Sequence, residues 1–264
     1  ETSEPDKEQC YRKALDLLRG LTAEFPDVPD HADNLARACN SLASMLLASG
    51  RSEEAEPFCR QAIELQEKLL ASYPRIPGYR HLLGFSFVNM AETLISTGRL
   101  REGQDAFHQA LRVFEELAHD APDVPLFRQS LARCQDALAR FLVSCVDAQS
   151  RDPARAIELA QKAIELAPRD GEFWQTLALA HYRTGEWQSA IDAINKSMEY
   201  RSGGDAHEWF LLAMGHWQLG NKEEARGWHD KAVEWMGKNK LDDEALKRFR
   251  AEAGELLGIK EKKD

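Results

Sequence analysis

Long apolar runs are missing from this chain of 264 residues: the best, 42–48, is interrupted by Ser44 and falls far short of the roughly 18 residues that cross a bilayer. Nor is there an excess of positive charge. With 34 Lys and Arg against 44 Asp and Glu the net charge is −10, so the summed field repels phosphate backbones and anionic lipid, and neither nucleic acid nor membrane is an expected partner. Cysteine is sparse: Cys10, Cys39, Cys59, Cys134 and Cys145 form an odd count without a C-x-x-C pair, which fits neither a disulfide framework nor a zinc site. Reduced thiols packed as small apolar groups are expected, and with them a cytoplasmic, reducing compartment. Ten prolines and 16 glycines are too few for a disordered or collagen-like chain, and 43% apolar residues can build a core. Residues 1–6 are polar and acidic, so no signal peptide is visible. Length alone suggests two domains; periodicity overrules that expectation.

The segment Phe25-Pro26-Asp27-Val28-Pro29 recurs as Tyr73-Pro74-Arg75-Ile76-Pro77 and as Ala121-Pro122-Asp123-Val124-Pro125, at a step of 48 residues. The same step relates Ala43, Ala91 and Ala139, and also Ala14, Ala62 and Ala110. After Pro122 the period contracts, and the last units read Trp174-x-x-Leu177-Ala178-x-x-His181-x-x-x-Gly185 and Trp209-x-x-Leu212-Ala213-x-x-His216-x-x-x-Gly220. These resemble the tetratricopeptide (TPR) pattern, with His181 and His216 at its tyrosine slot. In the longer units each helix of the hairpin gains seven residues, close to two helical turns, which prolongs the buried stripe without rotating it.

Small residues belong where the first helix of a hairpin (A) crosses the second (B), because a larger side chain would hold the backbones apart. The spacing pairs Ala43, Ala91, Ala139, Ala178 and Ala213 with Ala55, Gly103, Ala156, Ala190 and Ala225. Gly50, Gly98, Gly185 and Gly220 are expected to end the A helices in the left-handed conformation. Asp152, Asp205 with Glu208, and Asn221 with Glu224 read as helix starts.

The resulting expectation is an all-α, TPR-type α-solenoid, a right-handed superhelix of antiparallel helix hairpins, forming a single domain over 1–264. It comprises an unpaired B-type helix at 6–25, long repeats of about 48 residues at 30–73, 77–119 and 125–167, ordinary repeats at 171–201 and 205–238, and a C-terminal capping helix at 242–257. The linkers, the 48-residue units and the terminal sequence 209–259 resemble the C-terminal repeat region of large planctomycete-type bacterial proteins, among them multidomain Ser/Thr protein kinases. That resemblance implies a parent with an N-terminal catalytic or sensory part. The start on Glu1 and the unpaired first helix read as a cut through a longer array.

No chemistry emerges. There is no Gly-rich phosphate loop, no H-R-D and no D-F-G. His207 and His216 stand nine apart on different helix faces, so no zinc geometry forms, and neither metal nor cofactor is expected. An enzyme is therefore not expected. A binding module is, and helical spacing picks its face: the stripe one residue beyond each A-helix packing slot lines the concave groove of TPR solenoids. Its candidates are Arg37, Asn40, Phe85, Val88, Glu92, Arg133, Asp136, Arg140, Gln175, Leu179, Tyr182, Phe210, Met214 and Trp217.

Two alternatives stand at each end of that groove. Arg37, Asn40, Arg133 and Arg140 either hold a peptide carboxylate or are consumed by Glu92 and Asp136 in an internal ion-pair network. Tyr182, Phe210, Met214 and Trp217 either form an aromatic anchor pocket or lie under the terminal helix. The expected function is a non-catalytic scaffold that binds a peptide or protein partner within a larger bacterial signalling protein. The alternatives are a self-assembly module of a multidomain kinase, making a homo-oligomer, and a regulatory part of an enzyme with no chemistry of its own here.

Overall fold

Each linker proline sets where a helix begins. Pro29 and Pro77 sit in the first turns of α2 (Pro29–Ala48) and α4 (Pro77–Ser96), and Pro125 starts α6 (Pro125–Ser144). A fixed φ suits a first turn, where the missing N–H has no helical partner anyway. The preceding Val28 and Ile76 are extended, as a residue before proline must be.

The computed structural model describes residues 4–145, 147–239 and 243–259. Among them are twelve α-helices and no strand. The chain divides into two compact units, Glu1–Cys134 and Gln135–Asp264.

The first unit holds α1 (Glu4–Glu24), α2, α3 (Ser52–Ser72), α4, α5 (Leu100–Asp120) and the start of α6. From α1 to α5 each helix packs on the next, and α2 also packs on α4, whereas α3 and α5 share no comparable contact. The unit therefore bends toward its A helices, which form its inner face. Ala43, Ala55 and Ala91 have no exposed surface. At Gly103 an added β-carbon would lie 3.0 Å from the Ala91 carbonyl oxygen and 2.6 Å from Ile95 Cγ1, so the α4–α5 crossing tolerates no side chain there. Gly50 (φ 72°) and Gly98 (φ 82°) end α2 and α4 in the left-handed region.

The second unit holds the end of α6, a short 3₁₀ turn (Ala148–Ser150), α7 (Pro153–Leu166), α8 (Gly171–Thr184), α9 (Trp187–Tyr200), α10 (Ala206–Gln218), α11 (Lys222–Asn239) and α12 (Glu244–Leu257). Ala139, Ala156, Ala178, Ala190, Ala213 and Ala225 are all buried, and Gly185 and Gly220 are left-handed. Asp152 caps α7 by accepting from the Arg155 N–H, and Asp205 with Glu208 forms a reciprocal capping box at α10.

The repeat at 125–167 differs from its expected long form: α6 has 20 residues but α7 only 14. Its A helix is of the extended type and its B helix of the ordinary one. In the stretch expected as a cap, 242–257, α12 packs on α10 and α11; residue 242 lies outside the described residues. Four of the five cysteines are buried and Cys10 is exposed. Burial pushes the Cys39 and Cys59 thiols up to about 11, so they stay protonated and unreactive near neutral pH.

Candidate functional site

In the first unit the inner face is built by a row of hydrogen bonds between successive A helices. Asn40 Nδ2 donates to Ser86 Oγ (2.8 Å), Ser44 Oγ to Asn89 Oδ1 (3.2 Å), and Asn89 Nδ2 to the Asn40 carbonyl oxygen (3.3 Å). Farther on, His81 Nε2 meets Ser130 Oγ at 2.8 Å. Burial, aided by the Arg37 charge, lowers the His81 pKa and favours its neutral form. These contacts fix the tilt between repeats, because buried amides and hydroxyls lose heavily if unpaired.

Asn40 was legible as a candidate, but Ser86, Asn89, His81 and Ser130 were not. The step of 48 aligns Asn40 with Val88, whereas its partners are 46 and 49 residues away. Only the lateral offset of packed helices places them opposite one another.

On this polar row stands one exposed aromatic ring. Phe85 keeps 39% of its surface open. It meets His81 edge-on at 4.9 Å and Phe114 at 5.6 Å. Phe114 in turn lies directly on the Gly84 backbone, where an added β-carbon would be 2.6 Å from its ring. The ring of Phe85 is thus braced from two sides, so a partner that covers it orders little further. Arg37 is exposed beside this cluster and is held by Asp33 at 2.7 Å. Val88 is half-buried, while Glu92 and Arg133 are exposed.

In the second unit Asp136 is buried, with 3% of its surface exposed. Arg140 approaches it at 3.7 Å, and its Oδ1 has no hydrogen-bond partner among the described residues. Burial raises its pKa to about 6, against the opposing pull of Arg140 and a hydrogen bond with Thr176. Gln175 and Leu179 are half-buried.

The expected aromatic row is not an open stripe. Phe210 and Met214 have no exposed surface, and Phe210 lies edge-on to His229 of α11 at 5.6 Å. Tyr182 is buried against Trp187 at 5.1 Å. Next to it Arg183 is bound to Glu252 of α12. Helix α10 carries apolar residues on nearly every side, so α9, α11 and α12 cover several of its faces. Trp217 alone remains half-exposed, with Lys222 Nζ 5.2 Å above its ring. His181 and His216 do not fill a purely apolar slot: each sits at a helix end facing a carboxylate, Glu186 at 2.7 Å and Glu224 at 3.4 Å.

Tetratricopeptide-repeat family profiles match residues 35–72 and 144–206. The helical pairing and these matches define an all-α, TPR-type fold. Among solved structures, BtubC (BKLC) from P. vanneervenii superposes with a TM-score of 0.68 at 16% identity, over 91% of this chain and 93% of that one. YrrB, a TPR protein with an unusual peptide-binding site, reaches 0.52 at 17% identity over 90% of this chain and 100% of its own. Acl4, an assembly chaperone of RpL4, reaches 0.50 at 15% identity over 94% and 96%. No curated protein sequence matches the chain. Among the described residues no helix is long and apolar enough to cross a membrane.

Proposed function

We propose that this chain is a non-catalytic protein-interaction scaffold that binds an extended segment of a partner along the inner face of its first unit. The observation that carries this reading is Phe85, an exposed ring braced on a buried polar row. The other exposed Phe and Tyr rings, Phe25 and Tyr73, each meet one ring, His31 and Tyr79, whereas Phe85 meets two. Arg37 beside the ring is exposed though paired with Asp33, so an acidic group on the segment would compete with Asp33 for it. YrrB, which shares the fold, is by its description a peptide binder. A place in the cytoplasm as part of a larger bacterial signalling protein, of the kind the sequence resembles, belongs to the same proposal.

Peptides selected from a random display library on the wild-type chain test it. Phe85→Ala is expected to weaken them by about 10-fold or more, since a buried aromatic anchor is worth roughly 1.4 kcal/mol or above. Selected peptides that bind the variant unchanged would place recognition elsewhere.

Self-assembly is the second reading, favoured by α1. Leu17 and Leu21, one helical turn apart, are 71% and 39% exposed on a B-type helix without an A partner among the described residues. A mass that rises with concentration in light scattering, and that Leu17→Glu abolishes, is its expected signature. A constant monomer mass rejects it.

A further inference from the structure

The three proline linkers share a hydrogen-bonded turn and differ most in the residue that opens them. Phe25, Tyr73 and Ala121 each end a B-type helix with the N–H bonded to the carbonyl four residues back, at 2.8, 2.7 and 3.0 Å. Tyr73 (φ −132°, ψ 62°) and Ala121 (φ −140°, ψ 69°) have nearly the same conformation. In the first two linkers the ring is used: Phe25 packs on His31 at 6.1 Å, and Tyr73 lies edge-on to Tyr79 at 6.3 Å. The residue in register with His31 and Tyr79 is Phe127; it packs on His81 at 5.4 Å, but across the linker it meets the methyl group of Ala121 instead of a ring. A cavity of about 280 Å³ opens there, walled by Pro74, Pro77, Leu117, Ala121 and Phe127.

Charge changes at the same place. Asp27 and Asp123 follow the first proline of their linkers, but Arg75 does so here. Arg75 is exposed on the cavity wall and makes no ion pair among the described residues. Arg80, by contrast, is held by Asp120 at 2.8 Å and serves as a fixed wall. The slot thus lacks the ring of the other two linkers and has beside it a cation with no ion pair among the described residues.

We propose that this slot receives a tyrosine or phenylalanine side chain from a partner protein, presented with a carboxylate beside it. The ring would occupy the volume that Tyr73 fills one repeat earlier, against proline, leucine and phenylalanine walls that shed water when covered. The carboxylate meets Arg75, which locally offsets the repulsion that a chain of net charge −10 exerts on acidic segments. The slot does not include Phe85, but its wall Phe127 touches His81, which braces Phe85.

The test uses the full chain and a dye-labelled, end-capped peptide with one tyrosine between two aspartates in a glycine–serine context, titrated by fluorescence anisotropy. Wild type is expected to bind it about 10-fold more tightly than the same peptide with alanine for tyrosine. Arg75→Asp, which restores the sign found at 27 and 123, is expected to weaken binding in low salt, with the difference shrinking in high salt. Ala121→Tyr is expected to fill the slot from within, raising the thermal midpoint and removing binding. Methyl-labelled NMR of wild type locates the peptide independently of any variant: the Leu117 methyls are expected to shift. Equal binding of the tyrosine and alanine peptides, undiminished binding by folded Ala121→Tyr, or Leu117 signals that stay fixed at saturation each overturn the proposal. Should Ala121→Tyr fail to fold, the peptide pair and the Leu117 signals decide it.

Discussion

A carboxylate with 3% of its surface exposed and one oxygen unpartnered is poorly solvated as an anion, and Asp136 carries that burden in its pKa of about 6. Its ordinary value is 3.8, so the folded protein holds the proton more tightly than the unfolded chain does. The stability this contributes is fully present below about pH 4 and is lost as pH rises through about 6. Asp136→Asn removes the dependence. The variant is expected to match wild type near pH 4 and to be more stable at pH 7.5 by roughly 2–3 kcal/mol, from about two units at 1.36 kcal/mol each. Thermal or urea unfolding across pH 4–8 checks this, and a constant difference between the two proteins would remove Asp136 as its source.

At the scale of elements, the crossings between helices and the clamps between repeats set the register. The α4–α5 crossing has no room: Ala91 is fully buried and Gly103 meets its carbonyl. Ala91→Leu is expected to cost about 1–3 kcal/mol by overpacking, whereas Ala71→Leu, exposed near the end of α3, is expected to cost much less. Urea midpoints of the two variants measure the contrast, and equal losses would contradict the crossing.

Beside these crossings runs a clamp repeated at the 48-residue step. Arg51 binds Glu8 and Glu54 (both 2.7 Å), and Arg99 binds Glu56 (2.7 Å) and Glu102 (2.5 Å). Arg12 and Arg60 complete the two sets against Glu8 and Glu56. Hydrogen bonds from Arg51 and then Arg12 lower the Glu8 pKa to about 2, so this clamp holds above the ordinary carboxylate range and is released as pH falls through about 2. The next positions at that step are Gln104 and Asp147, and the clamp stops there. It stops where the B helix shortens.

For the whole molecule, short-range contacts predict graded stability. In a repeat array each helix pair is supported by its neighbours, so removing 243–264 takes α12 off α10 and α11 and leaves distant repeats alone. Hydrogen exchange is expected to show lost protection across 206–239, while 29–96 stays protected. Uniform loss along the chain would contradict nearest-neighbour coupling.

The sequence by itself determined the helix positions, because proline, glycine and the alanine slots act through local backbone sterics. Pro29, Pro77, Gly50 and Gly98 mark ends that the structure reproduces within a residue or so. It also determined the hairpin register, since only small residues permit close crossing. The binding face was legible only in part. Helical spacing put Phe85 and Asn40 on one stripe, but the braces of Phe85 come from Phe114 on another helix and from His81, itself tied to Ser130 of a third. Spacing likewise put Phe210 and Met214 on a groove, and tertiary packing buried them, because periodicity identifies a face and cannot say how many neighbours will cover it. The empty slot at Ala121 lies between these cases: the missing ring is visible in the sequence, and only the assembled walls of Pro74, Leu117 and Phe127 turn its absence into a cavity.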